Sequence, residues 1–206
     1  MNKKLAFIIA LFSIFAVIMQ FNLMLANRVT VISETVVRFF SFFTILTNTI
    51  VAGYFSFITY YAFKSNKTIM KSPGILTAIT VYITAVGLVY QIILRFTWNP
   101  TGMQKIVDEM LHTIIPLLVI IYWYINRKND TLKYSQIWKW LLYPSVYIVF
   151  ILIRGHFSNY YPYPFINVTA IGYQKVILNS LVMTFLFVFI SILFIWITRL
   201  TKKIKW

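Results

Sequence analysis

The 206-residue chain contains no cysteine, four acidic residues and two histidines. Without a thiol, disulfides, thiolate metal sites and cysteine nucleophiles are excluded. His112 and His156 alone leave little room for a zinc centre, and no metal or organic cofactor is expected. Charge is scarce as a class: 11% of the residues, against about 25% in a soluble domain. What fills the gap is apolar, since 60% of the chain is hydrophobic and 19% aromatic. A water-facing surface of the usual kind is excluded, and the chain reads as an integral membrane protein. Its nineteen Lys and Arg give a net charge of +15. In a soluble protein that excess would suggest a nucleic-acid partner. Here the basic residues fall in short connectors between apolar runs, where they set topology and meet anionic lipid. No basic-aromatic face is present, so no nucleic-acid partner is expected.

A membrane-crossing helix needs roughly 20 mainly apolar residues. Six segments have that character: 5–25, 39–63, 75–94, 110–126, 137–153 and 176–198. The expected fold is therefore all-α, a bundle of six transmembrane helices forming a single domain over residues 1–206. The first apolar run follows Lys3 and Lys4 and is longer than the about 7–15 residues of a signal-peptide core. No small-residue cleavage site closes it, so it reads as a retained span. With the N-terminus cytoplasmic, thirteen of the nineteen basic residues fall on the inner side, which predicts both termini inside. Glu34, Asp108 and Glu109 fall outside, and Asp130 inside. The outer connectors are also the longer ones, rich in Trp98, Tyr160, Tyr161, Tyr163 and Phe165. Function tends to sit in loops carried by a rigid scaffold, so the outer face is where a site is sought. There is no internal repeat and no pair of broken helices of the kind that marks many transporters.

Polar side chains inside spans are costly and mark candidate sites. The second span carries Ser41, Thr44, Thr47, Asn48 and Thr49 in its outer half. Ser41, Thr44 and Asn48 share one helical stripe, which either lines a site or bonds neighbouring helices together. In the fourth span, Asp108 and His112 stand four residues apart, followed by Pro116. A carboxylate so placed can orient the imidazole; the plainer role for His112 is a ring at headgroup level. Thr44 lies about 9 Å into its span at 1.5 Å per residue, and His112 begins the fourth from the same side. A threonine hydroxyl is a weak nucleophile until a base takes its proton, and these two residues supply that pairing if their spans are neighbours. Tyr90, Gln91, Asn179 and Ser180 are further candidates for the same cavity. Asn167-Val168-Thr169 is a glycosylation sequon on an outer loop, and the Lys, Ile, Asn and Phe bias points to a low-GC bacterium and a bacterial plasma membrane.

Three stretches are distinctive together: Phe39-Phe40-Ser41-Phe42-Phe43-Thr44-Ile45-Leu46-Thr47-Asn48; Leu111-His112-Thr113-Ile114-Ile115-Pro116; and Arg154-Gly155, Tyr161 to Val168, Gly172-Tyr173 and Asn179. With these the chain resembles the bacterial branch of the androgen-induced membrane protein family across all six spans. Animal members of that family are multi-span threonine hydrolases of fatty-acid esters of hydroxy fatty acids. The resemblance implies that Thr44 is the nucleophile and His112 its base, with Thr47 the fallback nucleophile. Two departures stand out. The tryptophan-rich basic stretch that precedes the threonine in animal members is missing, and Asn167 stands where bacterial relatives carry aspartate.

The resulting expectation is an intramembrane threonine hydrolase acting on a fatty acyl ester lipid that enters from the bilayer. Asp108 orients His112, with Glu109 the second choice. Asn48 is a candidate oxyanion donor. Arg95, Arg154, Asn179 and Lys175 are candidates for binding substrate, the cations by holding its free carboxylate, although anchoring helices at the headgroups suits them equally. The alternatives are a small transporter or channel for a lipid or organic solute, lined by the Thr/Asn stripe, and a non-catalytic membrane structural protein.

Overall fold

The computed structural model describes residues 2–64, 73–127 and 132–200. Lys67, Lys71, Lys128, Asp130, Lys202, Lys203 and Lys205, which entered the charge count, lie outside the described residues. The described residues are helical with no strand, and six helices are long and apolar enough to cross a membrane: Lys3–Ala26, Phe43–Lys64, Gly74–Leu94, Gly102–Asn126, Tyr134–Ser158 and Val168–Leu200. Their outward faces are apolar as well. Phe7, Leu11, Phe15 and Ile18 on the first helix are all exposed, whereas a helix facing water would carry polar residues there. This arrangement is compatible with a multi-pass integral membrane protein.

The chain divides into two compact units, Met1–Thr131 and Leu132–Trp206. The first contains α1 (Lys3–Ala26), α2 (Ile32–Phe40), α3 (Phe43–Lys64), α4 (Pro73–Val89), α5 (Gly102–Glu109) and α6 (Ile115–Asn126). The Asn2 carboxamide oxygen caps α1 by accepting from Leu5 N at 3.1 Å, and Asn27 Nδ2 closes its far end on Leu23 O at 2.9 Å. α1 packs along α3, and α4 along both α3 and α6. Their shared core is built of Ile9, Val51, Phe55, Ile83, Val119 and Tyr122, with Phe55 edge-on to Tyr122 at 4.9 Å. The buried Trp123 indole finds its acceptor in Thr77 Oγ1 at 3.0 Å, which removes the cost of an unpaired donor in the core.

Of the boundaries that differ from the hydropathy reading, two bear on the site; the fifth and sixth spans also run longer than expected, over Tyr134–Ser158 and Val168–Leu200. The second span does not run through Phe39 and Phe40. α2 ends there, with Ser41 N on Arg38 O at 3.0 Å, Phe42 N on Phe39 O at 3.3 Å, and Ser41 Oγ on Val37 O at 2.7 Å. α3 starts afresh at Phe43, so Thr44 stands in its first turn rather than six residues into a continuous helix. Conversely, the fourth span begins at Gly102, eight residues earlier than expected. Gln104, Lys105, Asp108 and Glu109 lower the hydropathy of that stretch without preventing it from being helical.

That fourth span is not regular. Between α5 and α6, Met110–Ile114 winds as a π turn, closed by Ile115 N on Met110 O. Pro116 has no N–H to offer the carbonyl of His112 four residues earlier, so regular α winding fails there. α4 comes close at this spot because Gly87 faces it: a Cβ on Gly87 would lie 3.2 Å from His112 O and 3.3 Å from Pro116 Cβ. A second π turn, Tyr90–Leu94, follows α4.

The second unit contains α7 (Ile137–Ser158) and α8 (Val168–Leu200). α8 is interrupted at Gly172, whose φ of 76° and ψ of 160° suit glycine alone among common residues. α7 ends at Asn159 in the left-handed region. Between them the Tyr160–Asn167 loop folds back: the Tyr161 ring occupies the space where Gly155 lacks a side chain, and Tyr163 stacks on Phe165 at 5.2 Å. Burial pushes the Tyr161 phenol above its usual range, with Tyr173 adding to the shift.

Candidate active site

Thr44 and His112 meet. Thr44 Oγ1 lies 3.3 Å from His112 Nε2, with Thr44 7% exposed and the imidazole 12%. The other ring nitrogen, Nδ1, faces two acceptors on Asp108, the backbone carbonyl at 2.9 Å and Oδ1 at 3.2 Å. Only the tautomer protonated at Nδ1 satisfies them, and it leaves the Nε2 lone pair to accept the Thr44 hydroxyl proton. Thr49, Thr80, Ser180 and Ser191 each donate to the carbonyl four residues earlier, the local bond that ordinarily satisfies a hydroxyl in a helix. Thr44 reaches a base on another helix. Thr47 is wholly buried, and the 3.3 Å approach to the imidazole belongs to Thr44.

Asn48 has a different place from the one its spacing suggests. Its Nδ2 donates to Thr44 O at 2.9 Å and to Leu111 O at 3.3 Å. Both amide hydrogens are committed to backbone, so Asn48 braces α3 against the π turn and is no oxyanion donor. Its Oδ1 is buried without a hydrogen-bond partner. Replacing Asn48 by alanine leaves Leu111 O short of a donor beside His112. The expected cost is about 1–3 kcal/mol, read as a lower melting temperature of the detergent-solubilised protein.

The neighbouring charges are internally compensated. Glu109, the second choice for orienting His112, instead accepts from Arg95 Nη2 at 2.6 and 2.8 Å and from Thr113 Oγ1 at 2.7 Å. Thr113 Oγ1 in turn accepts from Gln91 Nε2 at 2.8 Å. Arg95 therefore already holds a carboxylate, and does not stand open for one on a substrate. Tyr90 donates its hydroxyl to Asp108 Oδ2 and stacks on the His112 ring at 4.2 Å. Spacing alone named Tyr90 only as a lining candidate. Its partnership with Asp108, eighteen residues away, leaves no periodic signal in the sequence.

The remaining candidates belong to the second unit, where Arg154, Asn179 and Asn167 bond to the loop or its flanks. Arg154 Nη1 donates to Ser158 Oγ and to Tyr160 O, both at 3.3 Å, and its guanidinium lies 5.0 Å from the Tyr160 ring centroid. Asn179 Nδ2 donates to Phe165 O at 2.8 Å. Asn167 Oδ1 accepts from Ala170 N at 3.2 Å, an N-terminal cap that asparagine and aspartate perform alike. Lys175 is exposed. Among the described residues no three His, Cys, Asp or Glu gather as a metal-binding group. No protein-family model, no curated protein and no solved structure matches the chain.

Proposed function

We propose that the protein is an intramembrane threonine hydrolase of fatty acyl ester lipids, of the kind found in the androgen-induced membrane protein family that it resembles. The observation that carries this reading is the Thr44–His112–Asp108 alignment: hydroxyl to Nε2 at 3.3 Å, Nδ1 to carboxylate at 3.2 Å. His112 takes the Thr44 proton as Oγ1 attacks the acyl carbonyl, and returns it to the departing alcohol oxygen, leaving an acyl-threonine. Water then attacks the acyl carbon, giving its proton to His112. The fatty acid leaves as the acyl–Oγ1 bond breaks, and His112 reprotonates Thr44. Asp108 stabilises the imidazolium in both halves. Thr44 is the second residue of α3, so the positive end of that helix dipole favours negative charge developing at its oxygen.

The substrate is an ester whose acyl chain is already in the bilayer, and the apolar outward faces of the helices suit lateral access. Lys3, Lys4, Lys64 and Arg127 lie at the end of the first unit opposite Thr44, where Asn2 N donates to Asn126 Oδ1 at 3.3 Å. By the charge rule that end is cytoplasmic. The site then lies in the outer leaflet half of a bacterial plasma membrane, with both termini inside. The test is to incubate the purified full-length protein with an activated acyl ester, a long-chain acyl p-nitrophenyl ester whose good leaving group makes acylation fast relative to deacylation, quench, and map the adduct by mass spectrometry. An acyl group on the peptide containing Thr44 is the expected result. Hydrolysis without any Thr44 adduct, or no reaction with any acyl ester, refutes the reading.

A further inference from the structure

Tyr90 is 4% exposed and opens the π turn Tyr90–Leu94, while His112 sits at the centre of the π turn Met110–Ile114. Their rings are 4.2 Å apart and within 9° of parallel. The Tyr90 hydroxyl donates to Asp108 Oδ2, and Asp108 Oδ1 faces His112 Nδ1 at 3.2 Å. Each carboxylate oxygen is thus claimed by a different ring. Tyr90, Asp108, His112 and Thr44 stand in single file, each bonded to the next. A carboxylate held at one oxygen cannot swing away from the imidazole, and an imidazole with a flat ring against its face keeps its plane.

We propose that Tyr90 is the positioning residue of this site: its hydroxyl fixes Asp108, its ring fixes the plane of His112, and together they keep Nε2 aimed at Thr44. This deepens the hydrolase reading and rests on His112 being the group that takes the Thr44 proton. A partner that holds a functional group from behind fixes its orientation and tautomer, and losing it is felt in what that group does. The π turn serves the same end. One extra residue in a helix rotates the residues after it by about 100°, which lets Tyr90 face His112 while Arg95 returns to Glu109. The charged groups around His112 are Asp108 and Glu109 from its own helix and Arg95 from beyond α4. α1 brings no ionisable side chain after Lys4, and α3 none before Tyr54.

The experiment reads the His112 tautomer by nitrogen NMR of full-length protein labelled at histidine, with a His156→Asn variant for assignment. In the wild type the Nδ1–H form is expected to dominate. Tyr90→Leu, which removes hydroxyl and ring, is expected to lower the ratio of that form to the other by roughly three- to tenfold. Tyr90→Phe keeps the stack and loses part of the preference. Combined with Asp108→Asn it loses nothing further, because the hydroxyl acts through that carboxylate. A merely structural tyrosine would move the melting temperature and leave this pattern unmade. A wild-type Nε2–H form, an unchanged ratio in both Tyr90 variants, or additive effects of Tyr90→Phe and Asp108→Asn overturns the proposal. If Tyr90→Leu does not fold, the Tyr90→Phe and Asp108→Asn cycle decides. The readout needs no turnover, so failure of the hydrolase reading shows separately, as an absent Thr44 adduct.

Discussion

Thr44→Ala is expected to abolish labelling by a fluorophosphonate probe, and His112→Ala to slow it by about 10²–10⁴-fold, the usual contribution of a general base. The two effects differ in kind. Without Thr44 there is no oxygen to attack phosphorus. Without His112 the oxygen remains but keeps its proton, and the helix dipole of α3 alone gives little help. Thr44→Ser keeps the hydroxyl on the same turn and retains labelling, since the missing methyl takes no part in proton transfer. Thr47→Ala, one turn along the same helix, is expected to label like the wild type. Equal labelling of Thr44→Ala and wild type would show that another residue is the nucleophile. An unlabelled wild type would remove the activated hydroxyl altogether and turn attention to solute transport in liposomes.

The second large effect is structural. Gly155→Ala places a methyl group inside the volume of the Tyr161 ring, where the added Cβ would overlap Cε1 and Cζ. Ring atoms of a tyrosine held in a folded loop cannot slide aside as the end of a lysine chain can. The ring must leave, and the Tyr160–Asn167 loop must move with it. Overpacking of this sort costs about 1–3 kcal/mol, and the displaced loop exposes Tyr161 and Tyr163 to protease. Chymotrypsin is therefore expected to cleave Gly155→Ala within this loop much faster than wild type. Unchanged cleavage and melting would mean that the loop accommodates the methyl group by another route. Gly155→Ala combined with Tyr161→Ala tests the mechanism directly, because the two changes should cost less together than their sum.

Much of this fold is legible in the sequence because spans are long and composition is a strong signal. All six apolar runs correspond to helices. What the sequence hides is how they begin. Phe39 and Phe40 are as apolar as the residues after them, so no hydropathy window sees that Ser41 closes one helix before Phe43 opens the next. Residues 102–109 are polar enough to resemble a loop, yet form the first two turns of a membrane-length helix. The pairing of Thr44 with His112 comes from depth and chemistry once two spans are taken as neighbours. The roles of Asn48, Arg95 and Glu109 do not, since each depends on the rotation of one helix against another. Asn48 lies on the correct stripe and still spends its amide on backbone. Arg95 and Glu109 are fourteen residues apart and become partners only because their helices pack. Pro116 is the visible clue to irregular winding, four residues after the histidine whose carbonyl it cannot serve.

A π turn is an α-helix carrying one residue more than regular winding allows. Removing Met110 or Leu111 would rotate α5 by about 100° against His112 and α6. The Asp108 carboxylate would then lose its place between the Tyr90 hydroxyl and the His112 ring, although hydropathy, span count and charge distribution would hardly change. Gain or loss of that arrangement is thus within reach of a single three-nucleotide insertion or deletion. Two chains that look alike at the level of their spans can differ in whether they hold the acid–base pair in register, and counting residues between Asp108 and Pro116 is the quickest way to tell them apart.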